Sequence, residues 1–289
     1  MEFKTLGTTQ VQLPEIGLGT WNYAAGTGPL LAGMDHGASF IDTAEIYGTE
    51  EIVGRAVKDC RNRVFLATKV SPRNFRARDL IAAAERSLQR LQTDYIDLYQ
   101  LHWPNYRVPI EETMEAMEQL VDAGKIRFIG VSNFSVGELR RARAALTRHK
   151  IVSNQLRYSL IERTIEESLL RYCQQAGITV IAYSPLGEHF SNLLANDPQG
   201  VLALVASRAS KTAAQVALNW LIAKENVVAI PKASTVEHVV EDCAASGWRL
   251  PPEDYRLLDK KIRFQRRGLL EAMLRRKARH VFQLFGRQV

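Results

Sequence analysis

The chain has 289 residues, 46% of them hydrophobic, and a formal net charge of +7. No stretch approaches the roughly 18 uncharged apolar residues that a transmembrane helix requires, and the first residues lack the layout of a signal peptide. The three cysteines are widely spaced and odd in number, so they predict neither a disulfide framework nor a zinc cluster, and a cytoplasmic location is expected.

The excess positive charge is concentrated near the carboxyl terminus. Residues 262–289 contain eight arginines or lysines and a single acidic residue, Glu271. The remainder of the chain has equal numbers of basic and acidic residues. The sequence pI of about 9.4 therefore does not indicate a nucleic-acid-binding face on the body of the protein, and we expect no nucleic-acid partner.

The predicted elements begin with a short hairpin. Residues Phe3–Leu13 alternate around Gly7-Thr8-Thr9, which is typical of two antiparallel strands joined by a turn. Apolar runs of strand length then recur along the chain, and they predict eight further strands. These are Ile16–Trp21, Phe40–Thr43, Val64–Val70, Tyr95–His102, Ile126–Asn133, Ile151–Tyr158, Thr179–Pro185 and Val227–Ser234.

Segments with helical periodicity separate these strands. The clearest are Ala77–Leu91, Ile110–Ala123 and Thr212–Lys224. Ser135, followed three positions later by Glu138, predicts a capping box at the start of another helix. Gly124 and Gly177 lie where glycine commonly follows the end of a helix.

Eight strands that alternate with helices favour an α/β protein of the (β/α)8 TIM-barrel type, with an N-terminal β-hairpin as the barrel floor. A doubly wound sheet also alternates strands and helices, but eight is the number of strands that closes a barrel. We predict one barrel domain over residues 1–261 and a basic, helical C-terminal extension over residues 262–289. In that extension the apolar residues fall near helical spacing between arginines; they are Leu270, Leu274, Ala278, Val281 and Phe285.

Polar residues finish the predicted strands, where a barrel of this type places its chemistry. The second strand ends in Asp42, with Tyr47 just beyond it; the third ends in Lys69 and the fourth in His102. Each of these residues taken alone has a structural explanation, such as capping, packing or a satisfied core histidine. Together they place an acid, a phenol, an amine and an imidazole around one mouth, which predicts a catalytic group.

The four side chains suit the delivery of a proton to an oxygen that is becoming negative. A tyrosine is a weak acid at neutral pH, and a nearby ammonium such as Lys69 stabilises its phenolate. Asp42 can hold Lys69 in place, and His102 can donate a hydrogen bond to the same oxygen, whether neutral or charged. Reduction of a carbonyl by hydride needs this arrangement, with Tyr47 as the general acid.

A hydride must come from a cofactor, because no side chain supplies one. Ser132, Asn133 and Gln155 can bond a carboxamide, and Tyr183 offers an aromatic face for a nicotinamide ring. The Rossmann fingerprint is absent, since the segment that begins Gly17-Leu18-Gly19 has Asn22 in place of the third glycine. A dinucleotide would therefore bind along the mouth of a barrel.

With these residues in these positions, the sequence resembles the aldo-keto reductases over roughly residues 3–258. The segments that carry the resemblance are "FIDTAEIYG", "ATKV", "DYIDLYQLHWP", "GVSNF", "NQLRY", "AYSPLG" and "IPKAS". The resemblance implies a catalytic tetrad of Asp42, Tyr47, Lys69 and His102. It also implies NADPH (NADP+) as the cofactor, and aldehydes or ketones as the small-molecule substrates.

The resemblance further implies which residues surround the cofactor and the substrate. The implied cofactor contacts are Gly19, Thr20, Trp21, Asp42, Ser132, Asn133, Gln155, Tyr183, Ser184, Pro185, Leu186, Ile230, Pro231, Lys232, Ala233, Ser234, His238, Glu241 and Asp242. The implied substrate pocket is formed by Trp21, Tyr47, His102 and Trp103. No metal ligands are implied.

One departure from the family pattern lies in the segment "IPKASTVEHVVED", and a second lies in the loops that shape the substrate pocket, where the short segment Trp103–Val108 suggests an open site. Lys232 matches the ligand of the 2′-phosphate, but Ala233 replaces a frequent serine. His238 stands where an arginine usually clamps the adenosine phosphate, and histidine is a weaker, pH-dependent phosphate partner. NADPH remains the expected cofactor, with NADH as an alternative.

Other functions stay open at this point. The chain could be a regulatory subunit that binds nicotinamide cofactor and acts through a partner protein, with the basic extension as the feature in its favour. The extension could also pack on the barrel or over the pocket mouth, form an oligomer contact, or attach to a membrane or nucleic acid. A metal-dependent hydrolase has only Asp42 and His102 as candidate ligands, too few for a catalytic zinc. We expect a monomer or a small homo-oligomer without a membrane span.

Overall fold

The computed structural model describes residues 1–264, and it contains a two-stranded and an eight-stranded sheet over that part of the chain. Strands β1 and β2 pair antiparallel as the expected hairpin, and strands β3 to β10 pair parallel in chain order. The hairpin strands are β1 (Phe3–Thr5) and β2 (Gln12–Pro14). The parallel strands are β3 (Leu18–Gly19), β4 (Phe40–Asp42), β5 (Phe65–Val70), β6 (Ile96–Leu101), β7 (Ile126–Ser132), β8 (Ile151–Arg157), β9 (Thr179–Tyr183) and β10 (Val227–Ala229).

The eight parallel strands close into the predicted (β/α)8 barrel. Ile16, just before β3, forms a parallel bridge with Ala229 of β10. The amide of Gly19 also donates to the carbonyl of Pro231 at 2.8 Å. All eight predicted strands are therefore present, but β3 and β10 are shorter than expected. Pro231 has no N–H to continue the ladder, so the pairing of β10 ends early.

Helices cover the outside of the barrel between successive strands and after the last strand. Those of the described chain are α1 (Gly28–Asp35), α2 (Glu50–Val57), α3 (Ala77–Leu91), α4 (Ile110–Asp122), α5 (Val136–Ala145), α6 (Leu169–Gln175), α7 (Phe190–Ala195), α8 (Val201–Ala209), α9 (Ala213–Ile222), α10 (Val236–Cys243) and α11 (Pro252–Lys261). The expected capping box is present at α5, where Ser135 accepts from the amide of Glu138 and the Glu138 carboxylate accepts from the amide of Ser135. Gly124 and Gly177 both adopt positive φ after a helix, as expected.

The interior of the barrel is closed at one end by the hairpin. Leu6 and Leu13 are fully buried and belong to the same cluster as Phe40 and Phe65, which open β4 and β5. The hairpin therefore seals the amino-terminal ends of the strands and leaves the carboxyl-terminal ends as the open face. A second, larger apolar cluster lies between the strands and the surrounding helices.

Within residues 1–264, no helix is long and apolar enough to cross a membrane. Most of the predicted C-terminal extension, residues 265–289, lies outside the described residues, so its predicted helix and its role stay predictions.

Candidate active site

The four predicted catalytic residues converge at the carboxyl-terminal face of the barrel. Asp42 is the last residue of β4, and Lys69 lies one residue before the end of β5. His102 directly follows β6, and Tyr47 ends a 3₁₀ turn, Glu45–Tyr47, that follows β4. Since β4, β5 and β6 are neighbours in the sheet, successive strand ends bring these side chains together.

Asp42 and Lys69 form a buried ion pair. The Lys69 Nζ lies 2.5 Å from Asp42 Oδ1 and also donates to the backbone carbonyl of Thr43 at 2.8 Å. Both residues are almost fully buried, as expected for a lysine on an apolar strand that must be paired. Burial by itself would lower the pKa of Lys69, but attraction from Asp42 and Tyr47 outweighs it and raises that pKa. Lys69 is therefore a fixed cation at neutral pH.

Tyr47 lies against both the cation and the imidazole. Its hydroxyl is 3.4 Å from His102 Nε2, and Lys69 Nζ lies 4.9 Å from the centre of its ring. Burial raises the pKa of Tyr47, and the opposing effect of Lys69 does not fully cancel that rise. The lowering of this pKa by Lys69 was expected from the sequence, whereas the larger, opposite effect of burial was not. The phenol is consequently protonated at neutral pH, which is the form that can donate a proton.

His102 is neutral in this environment. Burial and, to a smaller extent, the charge of Lys69 lower its pKa to about 3. Its Nε2 faces the Tyr47 hydroxyl, and its Nδ1 is buried without a hydrogen-bond partner among the described residues. The ring also stacks on Trp103, with centroids 6.1 Å apart. The open choice between neutral and charged imidazole is thus resolved in favour of the neutral form.

Two glutamines complete the surroundings of Asp42. Gln155 donates to Asp42 Oδ2 at 2.8 Å, and Gln100 donates to the same oxygen at 2.9 Å. Gln155 was expected near the cofactor, whereas Gln100 was not among the predicted site residues. Its signal in the sequence was a long polar side chain one residue before the end of β6, a strand of mainly apolar residues.

Ser132, Asn133 and Tyr183 form a second polar group next to the first. Asn133 donates to Ser132 Oγ at 2.9 Å and accepts from the Tyr183 hydroxyl at 3.0 Å. Its amide nitrogen also lies 3.3 Å from the carbonyl of His102. Asn133 adopts a φ of 64°, a conformation that asparagine tolerates better than most residues. The predicted carboxamide-binding side chains are therefore adjacent to the tetrad.

The rim of the mouth is formed by loops. Ser184, Pro185 and Leu186 follow β9, and Ser184 adopts a φ of 48° that turns the chain sharply. Trp21 is 52% exposed and Trp103 is partly exposed. Both tryptophans are accessible to solvent, and their role as walls of a substrate pocket stays a prediction.

Gly19 and Thr20 are engaged with the protein itself. A side chain at Gly19 would meet the carbonyl oxygen of Ile230 at 2.8 Å, so only glycine allows this approach of the two strand ends. The Thr20 hydroxyl donates to the backbone carbonyl of Asp42 at 3.0 Å and contacts Thr49 Oγ1, also at 3.0 Å. These residues hold the closing strands together beneath the rim.

The predicted phosphate-binding segment lies on the loop after β10 and on α10. Lys232 and His238 are exposed, with Lys232 Nζ 3.5 Å from Ser234 Oγ. Ala233, which follows Lys232 in the chain, is partly buried. Thr235 caps α10 by accepting from the amide of His238 at 3.3 Å. An exposed cation next to a helix amino terminus suits a phosphate group.

Further along α10, Glu241 and Asp242 add acidic groups. Glu241 is partly buried, and its backbone carbonyl accepts from Gln215 at 3.1 Å. Asp242 is buried, and burial together with the charge of Glu241 raises its pKa to about 7. No contact described here joins this segment directly to the tetrad, so the two groups form separate parts of one face.

The donor set of this face fits a dinucleotide. At one end, the aromatic ring of Tyr183 and the neighbouring side-chain amides suit a ring that bears a carboxamide. At the other end, the exposed Lys232 suits a phosphate group. Among residues 1–264, no group of three or more His, Cys, Asp or Glu residues could hold a metal ion.

Comparison with known proteins identifies relatives over most of the chain. The model of the Aldo/keto reductase family matches residues 15–263. Methylglyoxal reductase YeaE of Escherichia coli (strain K12) is 40% identical over 263 residues, which cover 86% of this chain and 91% of that protein. Glyoxal reductase of Bacillus subtilis (strain 168) is 35% identical over 264 residues, which cover 89% and 92%.

A solved structure agrees with both the sequence and the fold. The aldo/keto reductase of Klebsiella pneumoniae, crystallised in complex with NADP and acetate, is 40% identical and superposes with a TM-score of 0.82. The match covers 89% of this chain and 94% of that chain. The barrel described above is therefore an architecture that its relatives share.

Proposed function

This chain belongs to the aldo/keto reductase family, and we propose that it reduces the carbonyl group of small aldehydes and ketones with NADPH, with Tyr47 as the general acid. The observation that carries this proposal is the contact between the Tyr47 hydroxyl and His102 Nε2 at 3.4 Å, beside the buried Lys69 cation. Two potential donors thus face one small volume in which a carbonyl oxygen can bind.

Tyr47 supplies the proton in this scheme. Its hydroxyl is protonated at neutral pH because burial raises its pKa. As the proton leaves for the carbonyl oxygen, the developing phenolate is stabilised by Lys69, whose own charge is held by Asp42. The ion pair therefore lowers the cost of the charge that Tyr47 acquires in the transition state.

His102 orients the carbonyl oxygen. A neutral imidazole can donate from one nitrogen only, and Nδ1 has no acceptor among the described residues. We therefore assign the proton to Nε2, which faces the Tyr47 hydroxyl. In that tautomer His102 donates to the same oxygen that Tyr47 protonates, and the substrate is fixed in a reactive orientation.

NADPH would supply the hydride when bound. We propose that Ser132, Asn133 and Gln155 hold its carboxamide, that Tyr183 contacts its ring, and that Lys232 binds its 2′-phosphate. The Klebsiella pneumoniae relative, crystallised with NADP, supports this choice of cofactor. NADH remains a second candidate because His238 replaces an expected arginine.

Small dicarbonyl compounds are the first substrates to examine. The relatives from Escherichia coli and Bacillus subtilis are named as reductases of methylglyoxal and glyoxal. We propose that this chain also accepts such 2-oxoaldehydes, since Trp21 and Trp103 frame an accessible mouth.

The direct test is the Tyr47→Phe variant. Loss of the hydroxyl should reduce kcat for methylglyoxal by about 10²-fold or more, because general acid catalysis contributes effects of that size. The Kd for NADPH, measured by quenching of protein fluorescence, should change less than about threefold. NADPH oxidation at 340 nm gives the rate.

A Tyr158→Phe variant is a suitable control, since Tyr158 is also a buried tyrosine but its hydroxyl contacts Glu166 at 2.6 Å instead of the tetrad. It should retain most of the activity. A Tyr47→Phe enzyme that reduces methylglyoxal at the wild-type rate would refute the role given to Tyr47.

A further inference from the structure

The carboxylate of Asp42 is held on both of its oxygens. Oδ1 contacts Lys69 Nζ, whereas Oδ2 accepts two amide hydrogen bonds, from Gln100 at 2.9 Å and from Gln155 at 2.8 Å. Each hydrogen bond to a buried charge contributes more than one between neutral groups. The orientation of Asp42 therefore depends on the glutamines as well as on the lysine.

Gln100 lies beneath the tetrad in the interior of the barrel. It is fully buried on β6, and in the sheet register it is paired with Lys69 of β5 on one side and Gly130 of β7 on the other. A Cβ atom at Gly130 would lie 2.8 Å from Gln100 Cγ. The absence of a side chain at Gly130 thus makes the space that Gln100 occupies.

The amide of Gln100 can be oriented in one way only. An ionised carboxylate accepts hydrogen bonds and donates none, so the NH₂ groups of Gln100 and Gln155 must both face Asp42. The Gln100 carbonyl oxygen then points to the Gln155 NH₂ group, at 3.4 Å. Gln100, Gln155 and Asp42 form a closed triangle in which each amide fixes the other.

We propose that Gln100 is a positioning residue for the reaction, because it fixes the Asp42 carboxylate against Lys69 and sets the orientation of the Gln155 amide. The inference rests on the proposed function, in which Gln155 holds the carboxamide of NADPH. With both hydrogens of its NH₂ group directed at Asp42 and Gln100, Gln155 turns its carbonyl oxygen the other way. Gln100 therefore couples the proton-transfer pair to the cofactor site.

The charged and titratable side chains around the Asp42–Lys69 pair belong to three segments. Lys69 comes from β5, His102 from the end of β6, and Tyr47 from the turn after β4. Gln155 from β8 is neutral. Among the described contacts, Gln100 is thus one of two neutral donors that stabilise the charged form of Asp42 next to a single cation.

The first test is the Gln100→Met variant, which preserves the length of the side chain but removes both polar atoms. We expect kcat for methylglyoxal to fall about tenfold, and the Kd for NADPH, measured by fluorescence quenching, to rise about threefold to tenfold. The loss of one N–H donor leaves Asp42 Oδ2 with Gln155 as its remaining amide partner, so the carboxylate is held less firmly against Lys69.

The Gln100→Glu variant distinguishes positioning from simple packing. In its protonated form the introduced carboxyl has nearly the shape of glutamine and donates one hydrogen bond to Asp42. In its ionised form it places a second negative charge beside Asp42. We expect near wild-type kcat at low pH. As the pH rises, kcat should begin to decline at a lower pH than in the wild type. The Gln100→Met variant should not show this early decline.

Ser153→Ala is the matched control for disturbance of the barrel interior. Ser153 is fully buried on β8, and its Oγ would lie 2.6 Å from a Cβ at Gly130, so it shares the same space as Gln100. Its hydroxyl has no hydrogen-bond partner among the described residues. Ser153→Ala should leave kcat, the NADPH Kd and the pH profile unchanged.

The outcomes separate this inference from the proposed function. A wild-type protein that neither binds NADPH nor reduces methylglyoxal would refute the proposed function. An active wild type, together with a Gln100→Met variant that has the same kcat and the same NADPH Kd, would overturn the role of Gln100 alone. Equal losses in Gln100→Met and Ser153→Ala would also overturn it, because they would indicate packing.

Discussion

At the scale of single residues, burial beside a fixed cation determines which protons are present in the site. Burial raises the pKa of Tyr47 and, with the charge of Lys69, lowers that of His102 to about 3. Both groups are thereby neutral near pH 7, and each can donate one hydrogen. The low-polarity surroundings favour the protonated form of the Tyr47 phenol. They also strengthen the attraction between Lys69 and the negative charge that develops on Tyr47 as its proton leaves.

We predict that two exposed residues, Lys232 and His238, decide the preference for NADPH over NADH. We predict that Lys232→Met raises the Kd for NADPH about tenfold or more, because a charge-assisted contact with the 2′-phosphate is lost. The Kd for NADH should not change, since NADH lacks that phosphate. Fluorescence titration with each nucleotide measures both constants. Lys232 is exposed, so the fold should not be affected.

His238→Arg is the reciprocal variant at the same face. A guanidinium binds phosphate with two hydrogen bonds, so this variant should bind NADPH more tightly, by several-fold, at an unchanged NADH affinity. If neither substitution alters the ratio of the NADPH Kd to the NADH Kd, the 2′-phosphate of NADPH binds at another place on the protein.

At the scale of elements, a buried acid on α4 organises the loop that leads into β8. Glu118 is 2% exposed, and its Oε1 accepts from the backbone amides of Thr147, Arg148 and His149 at 3.0, 2.6 and 2.9 Å. Burial alone would raise the pKa of Glu118, but these hydrogen bonds outweigh it and lower the pKa to about 2, from an ordinary 4.5. The loop is therefore held by a charge that persists to low pH.

We predict that Glu118→Gln lowers the free energy of unfolding by about 1–2 kcal/mol at pH 7, because the amides lose a charged acceptor while the shape of the side chain is kept. A lowered pKa in the folded state contributes stability that is fully present above about pH 4.5 and is lost as the pH falls through about 2. The difference between wild type and variant should therefore shrink as the pH falls from about 4.5 to about 2, and vanish below that. Urea unfolding across this pH range measures it.

Asp122→Asn is a control on the same helix, since Asp122 pairs with Arg148 and His149 but is 46% exposed. Solvent screens exposed pairs, so we expect little change in stability. A constant difference between wild type and Glu118→Gln from pH 7 to pH 2 would contradict the charge-based explanation.

At the scale of the whole molecule, the two ends of the described chain complete the barrel. Glu15, which precedes β3, contacts Arg249 at 2.5 Å and Ser246 at 3.1 Å, and so links the hairpin to the segment before α11. After α11, Ile262 is 2% exposed and the amide of Arg263 donates to Asn196 at 2.9 Å. Phe264 then lies against the buried guanidinium of Arg163, at 4.4 Å.

These contacts predict where the chain can be shortened. A protein that ends at Phe264 should keep its activity and lose no more than about 3 °C in Tm, because the contacts of residues 262–264 remain. A protein that ends at Lys261 should lose several more degrees, since burial of Ile262 and the contact of Phe264 with Arg163 are removed. Thermal unfolding and light scattering after gel filtration measure stability and oligomeric state.

An equal loss of stability in both truncated proteins would show that residues 265–289 hold the barrel together. Loss of activity in the longer truncated protein, with an unchanged Tm, would instead place the extension at the catalytic mouth. Retained activity with a smaller oligomer would assign it to subunit contact.

The fold could be predicted from the sequence because its strands are buried on both faces and its helices on one. An apolar run such as Phe65–Val70 and a periodic segment such as Ala77–Leu91 record these two kinds of burial directly. The ends of β3 and β10 were less predictable. The extent of the pairing between β3 and β10 depends on Gly19 and Pro231, and neither residue type contributes to an apolar run in the sequence.

The sequence by itself determined the order of strands and helices, and with it the strand ends at which Asp42, Lys69 and His102 lie. Only the tertiary structure decided the hydrogen bonds of Gln100 to Asp42 and Gln155 and the directions in which the pKa values of Tyr47 and His102 shift. Local patterns report whether a residue is buried, because burial follows from the period of the element that carries it. Hydrogen-bond partners and proton affinities depend on groups from strands far apart in the chain, and only the closed barrel brings those groups into contact.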